Sequence, residues 1–208
     1  MTISTKTTSR AVRRERAEAV MAQQRRAERR MRLIIWGAVL VTLAGIVTAM
    51  LLTSKPQSSA DVRSATDFAL TDTSGAKHTL ADHRGENLLL YFSEGAGCQS
   101  CLVQMGEIEK RAEAFAAEDV TVLPIVMNTR EQILADMEVN GVTTPFLLDD
   151  GTVSDAYGTL GKGMHAGLPG HSFVLIDKQG QQLWYGEYPS MWLDPGELLD
   201  EIRTRLDP

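Results

Sequence analysis

The sequence predicts an α/β domain, a central mixed β-sheet flanked by helices, preceded by one transmembrane helix. Three observations predict it. An apolar run at 88–92 leads through the Gly-rich turn Gly95-Ala96-Gly97 into Cys98-Gln99-Ser100-Cys101 and then into a helical stripe. Further short apolar runs alternate with helical patterns, the order expected of a sheet covered by helices. Ahead of these, residues 33–54 carry no charge, and 33–52 supply 20 largely apolar positions, enough to cross a hydrocarbon core of about 30 Å at about 1.5 Å per residue.

The N-terminal 32 residues hold ten Lys or Arg against three Glu, a net +7, whereas the remainder is −13 within a chain of −6. An acidic body of this kind argues against nucleic-acid binding. Arg25, Arg26, Arg29, Arg30 and Arg32 stand directly before the apolar run, and only Lys55 and Arg63 follow soon after it. That asymmetry predicts a cytoplasmic N-terminus and a single-pass membrane protein with its domain outside the cytosol. The expected organisation is a cytoplasmic basic segment at 1–32, helical and drawn to anionic lipid, a transmembrane helix at 33–53, a flexible linker at 54–65 and a folded domain at 66–208. A cleaved signal peptide is the competing reading, with Ser58-Ser59-Ala60 as small residues for a peptidase. The apolar run exceeds an h-region of about 7–15 residues and the charged segment before it is long, which favours an uncleaved anchor. Both readings deliver the cysteines to a compartment where disulfides persist.

Within the domain, a short β pair is expected at 67–72 and 77–80 around the turn Thr73-Ser74-Gly75-Ala76. A core strand follows at 87–92. Cys101, Met105, Ile108, Ala112 and Phe115 recur at i, i+4, i+7, i+11 and i+14, one stripe of a helix reaching about residue 117. The run 119–127 is apolar on both faces, as a covered strand requires. A helix at 131–139 ends at Asn140-Gly141, a short strand occupies 145–148, and a helical turn at 153–157 closes at Gly158. A Gly-rich loop spans 158–170. Strand 172–176, the turn Lys178-Gln179-Gly180 and strand 182–185 form a hairpin, with a last helix from near Pro195 to 206. Trp184 and Trp192 are expected to pack this hairpin and helix.

Cys98 and Cys101, the only two cysteines, fall in the first turn of the helix that begins the stripe. Three residues apart they share a face within reach of a disulfide, and the unpaired N–H groups there favour a thiolate. Cys98, at the helix start, is the expected attacking thiolate, and Cys101, on the inward stripe, the resolving thiol. A zinc site would need two more ligands at paired spacing, whereas His78, His83, His165 and His171 are scattered. A purely structural bridge would close so short a loop that it removes little chain entropy. Glu94, in the loop before Cys98, is a candidate proton acceptor for Cys101. His78, His83 and His165 receive no role. No metal and no cofactor is called for.

The apolar strand entering Gly97-Cys98-Gln99-Ser100-Cys101, the segment Pro145-Phe146-Leu147-Leu148-Asp149-Asp150-Gly151 leading to Asp155-Ala156-Tyr157-Gly158, and Phe173-Val174-Leu175-Ile176-Asp177-Lys178-Gln179-Gly180 together resemble the redoxin branch of the thioredoxin superfamily. That branch includes the peroxiredoxins and the membrane-tethered thiol–disulfide oxidoreductases. The resemblance covers about residues 66–206 and implies a thioredoxin-like fold. Tethered members usually show Glu-Met and then Pro after their C-x-x-C, where this chain has Gln104-Met105 and Gly106. They commonly place Trp before the first cysteine, where it has Gly97. The cis-Pro that usually faces the dithiol is replaced by His171, with Pro169 two residues earlier. His171 is therefore expected near Cys98, raising its thiolate fraction or shuttling a proton.

These residues lead to a membrane-anchored, extracytoplasmic thiol–disulfide oxidoreductase that exchanges disulfides with exported proteins through Cys98 and Cys101. The resemblance implies that reducing members serve cytochrome c maturation or similar assembly, fed by a transmembrane electron carrier. The second reading is a thiol peroxidase with antioxidant activity. Peroxiredoxins show Pro-x-x-x-Thr-x-x-Cys and a distant Arg; here the corresponding places hold Tyr91 and Gly95, and no Arg lies between Arg130 and Arg203. A third reading is a copper-binding assembly factor using the two cysteines and His171.

Overall fold

Residue alternation along the central strand divides the domain into layers. The computed structural model describes residues 4–53 and 55–207; within the N-terminal helix the described side chains are 21, 23–26 and 28–52. Residues 1–3 of the expected basic segment, and Ser54 at the head of the expected linker, lie outside the described residues. The chain divides into two units, Met1–Leu52 and Thr53–Pro208. Helix α1 (Ser4–Thr53) contains a segment, Gln23–Leu52, long and apolar enough to cross a membrane, with none of its described side chains buried.

In the second unit, β1 (Gln57–Ser59), β2 (Arg63–Ser64), β3 (Ala69–Asp72), β4 (Lys77–Thr79) and β5 (Asn87–Phe92) precede α2 (Gln99–Glu109) and α3 (Ala112–Ala117). Then come β6 (Val120–Val126), α4 (Arg130–Asn140), β7 (Leu147–Leu148), α5 (Thr152–Ala156), β8 (Ser172–Ile176), β9 (Gln181–Glu187) and α6 (Pro195–Leu206). One sheet runs β1-β9-β8-β5-β6-β7-β3-β4, with β2 also on β9. The β5–β6 and β6–β7 pairs are parallel and the others antiparallel. Every residue of β5 is buried. Leu89 and Tyr91 join one core with α2, α4 and α6, while Leu88, Leu90 and Phe92 join the other with Phe68, Val153 and Tyr157. A strand covered on both sides needs apolar residues at consecutive positions, which is why its sequence shows no alternation.

Three expectations are corrected. Residues 57–64, expected within a flexible linker, form two strands on β9, from Gln57↔Glu187 to Ser64↔Gln181, and Ser58 Oγ accepts a 2.8 Å bond from Trp184 Nε1. Backbone pairing at an open sheet edge is indifferent to the small polar side chains that read as spacer. The cysteine helix breaks at Lys110-Arg111, where Arg111 leaves helical geometry (φ −113°, ψ 19°). The break lets α3 pack on β6 and buries Phe115, but leaves Ala112 of the expected stripe exposed. Trp184 is fully buried, but Trp192 is 38 % exposed.

Asp72 closes the β3–β4 turn. Burial alone would raise its pKa, but its carboxylate accepts bonds from Ser74 Oγ (2.7 Å), His78 Nε2 (3.0 Å) and the Ala76 and Ser74 amides, and these outweigh burial and lower it to about 2. The folded chain therefore favours the carboxylate, a contribution complete above about pH 4 and lost as pH falls through about 2. Asp72→Asn is expected to cost about 2 kcal/mol at pH 7, with the gap from wild type narrowing between about pH 4 and 2 in urea unfolding.

Candidate active site

The parallel ladder between β5 and β6 extends to Ser93, whose amide donates to Ile125 O at 3.3 Å. The next amides are held elsewhere. Ala96 N–H donates to Asn128 Oδ1 (2.8 Å), Gly97 N–H to Asp136 Oδ2 on α4 (2.7 Å), and Cys98 N–H to Gly95 O (3.0 Å). Gly95 takes φ +70°, and a Cβ there would meet Val126 Cγ1 at 2.7 Å and the Asn128 side chain. The turn is thus clamped to α4 and admits only glycine at its first step.

Cys98 is the N-cap of α2 (φ −101°, ψ 91°), its Sγ accepting from Cys101 N–H at 3.3 Å. The two cysteines are joined in a disulfide with Cα atoms 5.3 Å apart. Cys98 is half-buried, whereas Cys101 is 1 % exposed and lies on the buried stripe with Leu102, Gln104, Met105 and Ile108. Position alone therefore makes the sulfurs unequal. One can meet a protein substrate, and the helix N-terminus favours its thiolate when the bridge opens.

Behind the disulfide, Tyr91 OH donates to Cys101 O at 3.2 Å and lies 3.2 Å from His171 Nδ1. Both side chains are buried. Burial lowers the imidazole to about 3 and raises the phenol well above its ordinary value, so both are neutral around pH 7. Gln104 Oε1 accepts from Leu193 N–H at 2.8 Å. His171, placed by sequence beside Cys98, is thus connected to the Cys101 backbone through Tyr91, and its ring nitrogens make no hydrogen bond to either sulfur.

Glu94 is also buried, but both carboxylate oxygens face the 158–170 loop: Oε1 accepts from His165 N–H (2.9 Å) and Oε2 lies 2.7 Å from His165 Nδ1. The loop is closed at its base by a bridge between Leu160 and Pro169. His78 and His83 lie together at the β4 edge, linking Asp72 to Glu86. Sequence reasoning missed four participants: the Tyr91 hydroxyl, Asn128, Asp136 and His165. Asn128 precedes Thr129, the N-cap of α4, a local cue to its region; nothing local marks the other three.

The sequence matches the AhpC/TSA family over residues 62–181, more than half the chain. The chain belongs to this family. Thiol-disulfide oxidoreductase ResA of Geobacillus kaustophilus is 27 % identical over 147 residues, covering 59 % of this chain and 84 % of the relative. ResA of Geobacillus thermodenitrificans is 28 % identical over 141 residues, covering 57 % and 80 %. Among solved structures, a cysteine-to-serine mutant of PrxQ from Xylella fastidiosa superposes with a TM-score of 0.62 at 15 % identity, covering 72 % of this chain and all of that one. At that identity the likeness concerns the fold alone, which is thioredoxin-like. This AhpC/TSA member is an oxidoreductase of the redoxin branch.

Replacing Gly95 by alanine is expected to lower stability by about 2–4 kcal/mol through backbone strain and overpacking against Val126. Chemical denaturation of the full-length protein in detergent checks it, with Gly97→Ala as comparison, since Gly97 shares the left-handed backbone (φ +86°) but a Cβ there meets nothing within 4 Å, so the difference isolates the overpacking.

Proposed function

We propose that this AhpC/TSA member is a membrane-anchored thiol–disulfide oxidoreductase whose domain works outside the cytosol on exported proteins. The observation that carries it is the inequality of the two sulfurs: Cys98 half-buried at the start of α2, and Cys101 sealed beneath it. An exchange enzyme needs one sulfur that reaches the substrate and a second that reaches only the first. Cys98 thiolate attacks a substrate disulfide, or a substrate thiolate attacks the Cys98–Cys101 bridge, and Cys101 resolves the mixed disulfide. Electrons pass between the dithiol and the substrate, with a transmembrane electron carrier as the source in the reducing direction. The apolar run at 33–52, within the candidate spanning segment Gln23–Leu52, and the arginines directly before that run support anchoring with the N-terminus inside. Named relatives of the ResA type support exchange as the reaction.

A peroxidase finds less support. The position of the family's peroxide-binding threonine is Gly95, which brings no hydroxyl, and buried His171 is neutral and supplies no cation. The experiment uses the full-length protein in detergent micelles with insulin as disulfide substrate. Cys98→Ser is expected to reduce turnover at least about a hundredfold, and Cys101→Ser to accumulate a mixed disulfide through Cys98 on non-reducing gels. Peroxide consumption that persists in Cys101→Ser, without insulin reduction by the unmodified protein, overturns the proposal.

A further inference from the structure

Building on the exchange reaction proposed above, we propose that Glu94 and Gly163 are positioning residues that hold the segment 163–165 as one wall of the protein-substrate surface, with Met164 as its apolar contact. The occupant is an incompletely folded polypeptide that carries apolar side chains beside its reacting cysteine.

A buried carboxylate is stable only while hydrogen bonds replace its water. Glu94 is 3 % exposed, and both of its hydrogen bonds come from one residue of a largely exposed loop: His165 N–H reaches Oε1 (2.9 Å) and His165 Nδ1 lies 2.7 Å from Oε2. The loop cannot lift away without leaving that charge buried and unpaired. Gly163 lies flat on the same side chain, since a Cβ there would collide with Glu94 Oε1 and stand 3.0 Å from Cδ. A larger residue would hold the segment off its seat. The rest of the loop gives this tip little other support. Gly161 N–H donates to Leu168 O (2.8 Å) and Leu168 N–H to His165 O (3.2 Å), both inside the loop. Lys162 pairs with Glu187 at 3.8 Å, but the lysine is half exposed, an arrangement worth little in water.

The clasp lies on the turn that carries the reactive sulfur. Glu94 directly precedes Gly95, whose carbonyl accepts from Cys98 N–H at 3.0 Å, a turn that keeps those two Cα atoms within about 7 Å. A protein docked over Cys98 covers about 800 Å² on this side, a disc about 16 Å in radius. Such a disc takes in residues bonded to Glu94. Met164 stands 77 % exposed between the two anchored residues, and it is the one large apolar side chain in 161–167. Methionine is an adaptable apolar contact, able to meet side chains of different shape. Chains that have not finished folding still expose apolar residues, so they, rather than native proteins with closed cores, offer Met164 a partner.

The test uses the full-length protein in detergent with dithiothreitol as electron source and two disulfide substrates. One is scrambled ribonuclease A, an unfolded polypeptide with mispaired disulfides; the other is hydroxyethyl disulfide, which has no chain to touch the wall. Glu94→Ala is expected to lower the ratio of kcat/KM for the polypeptide to that for the small disulfide about tenfold, the scale of one apolar contact, with the loss carried by KM. Gly163→Ala and Met164→Asp are expected to do the same. Glu94→Gln keeps both bonds, its amide oxygen accepting from His165 N–H and its NH₂ donating to Nδ1, and is expected to hold the ratio within about twofold. Adding Gly163→Ala to Glu94→Ala is expected to cost nothing more, because the collision has gone. Circular dichroism checks folding, and Met164→Asp alters only an exposed side chain, so it tests the wall even where Glu94→Ala does not fold. A Met164→Asp ratio within about twofold of the unmodified protein overturns the proposal. So does a parallel fall of both activities in Glu94→Ala, which would put Glu94 in the dithiol chemistry instead. Failure of the unmodified protein to reduce insulin would sink the exchange reaction, an outcome separate from any change in ratio.

Discussion

The site depends on a turn that must leave a fully buried strand and end with one sulfur half-exposed and the other sealed in the core. β5 supplies the fixed point, because apolar residues anchor it on both faces. Its continuation is free to curl only because Asn128 and Asp136 take the amides that the ladder gives up. A loop with unpaired buried amides would be unstable. Here the clamp converts that liability into a defined entry to α2, and Cys98 arrives as its N-cap.

From that entry the helical period decides the chemistry. Three residues advance the chain by most of a turn, so Cys101 rotates inward onto the stripe that packs on β5 while its Cα stays 5.3 Å from Cys98. The same rotation brings Gln104 beneath the surface, bonded to the segment before α6. Stability and reactivity therefore share one helix face. The residues that hold α2 against the sheet are also those that keep water from the Cys101 sulfur.

Charge is handled differently on the two sides of the dithiol. Toward the 158–170 loop, Glu94 is buried and bonded by both oxygens to His165, so a carboxylate near Cys98 acts as a clasp for that loop. Toward β8, burial keeps His171 neutral and leaves one ring nitrogen without a partner. Buried polar groups of this kind are rare in folded proteins, and they gather where function tolerates their cost.

The sequence by itself determined the order of strands and helices from residue 66 onward, apart from the break in the cysteine helix, together with the placement of Cys98 and Cys101 at a helix start and the apolar segment ahead of the domain. Each is written in local periodicity or composition, as the continuous run at 87–92 and the stripe from Cys101 to Ile108 show. Only the tertiary structure decided that residues 57–64 pair with β9, that the stripe turns at Lys110-Arg111, that Glu94 meets His165, and that Tyr91 joins His171 to Cys101. The last two join residues 71 and 80 positions apart. Edge pairing uses backbone groups that every residue carries, and hydrogen bonds between distant side chains depend on how the layers close. Neither leaves a period or a spacing for a sequence to display.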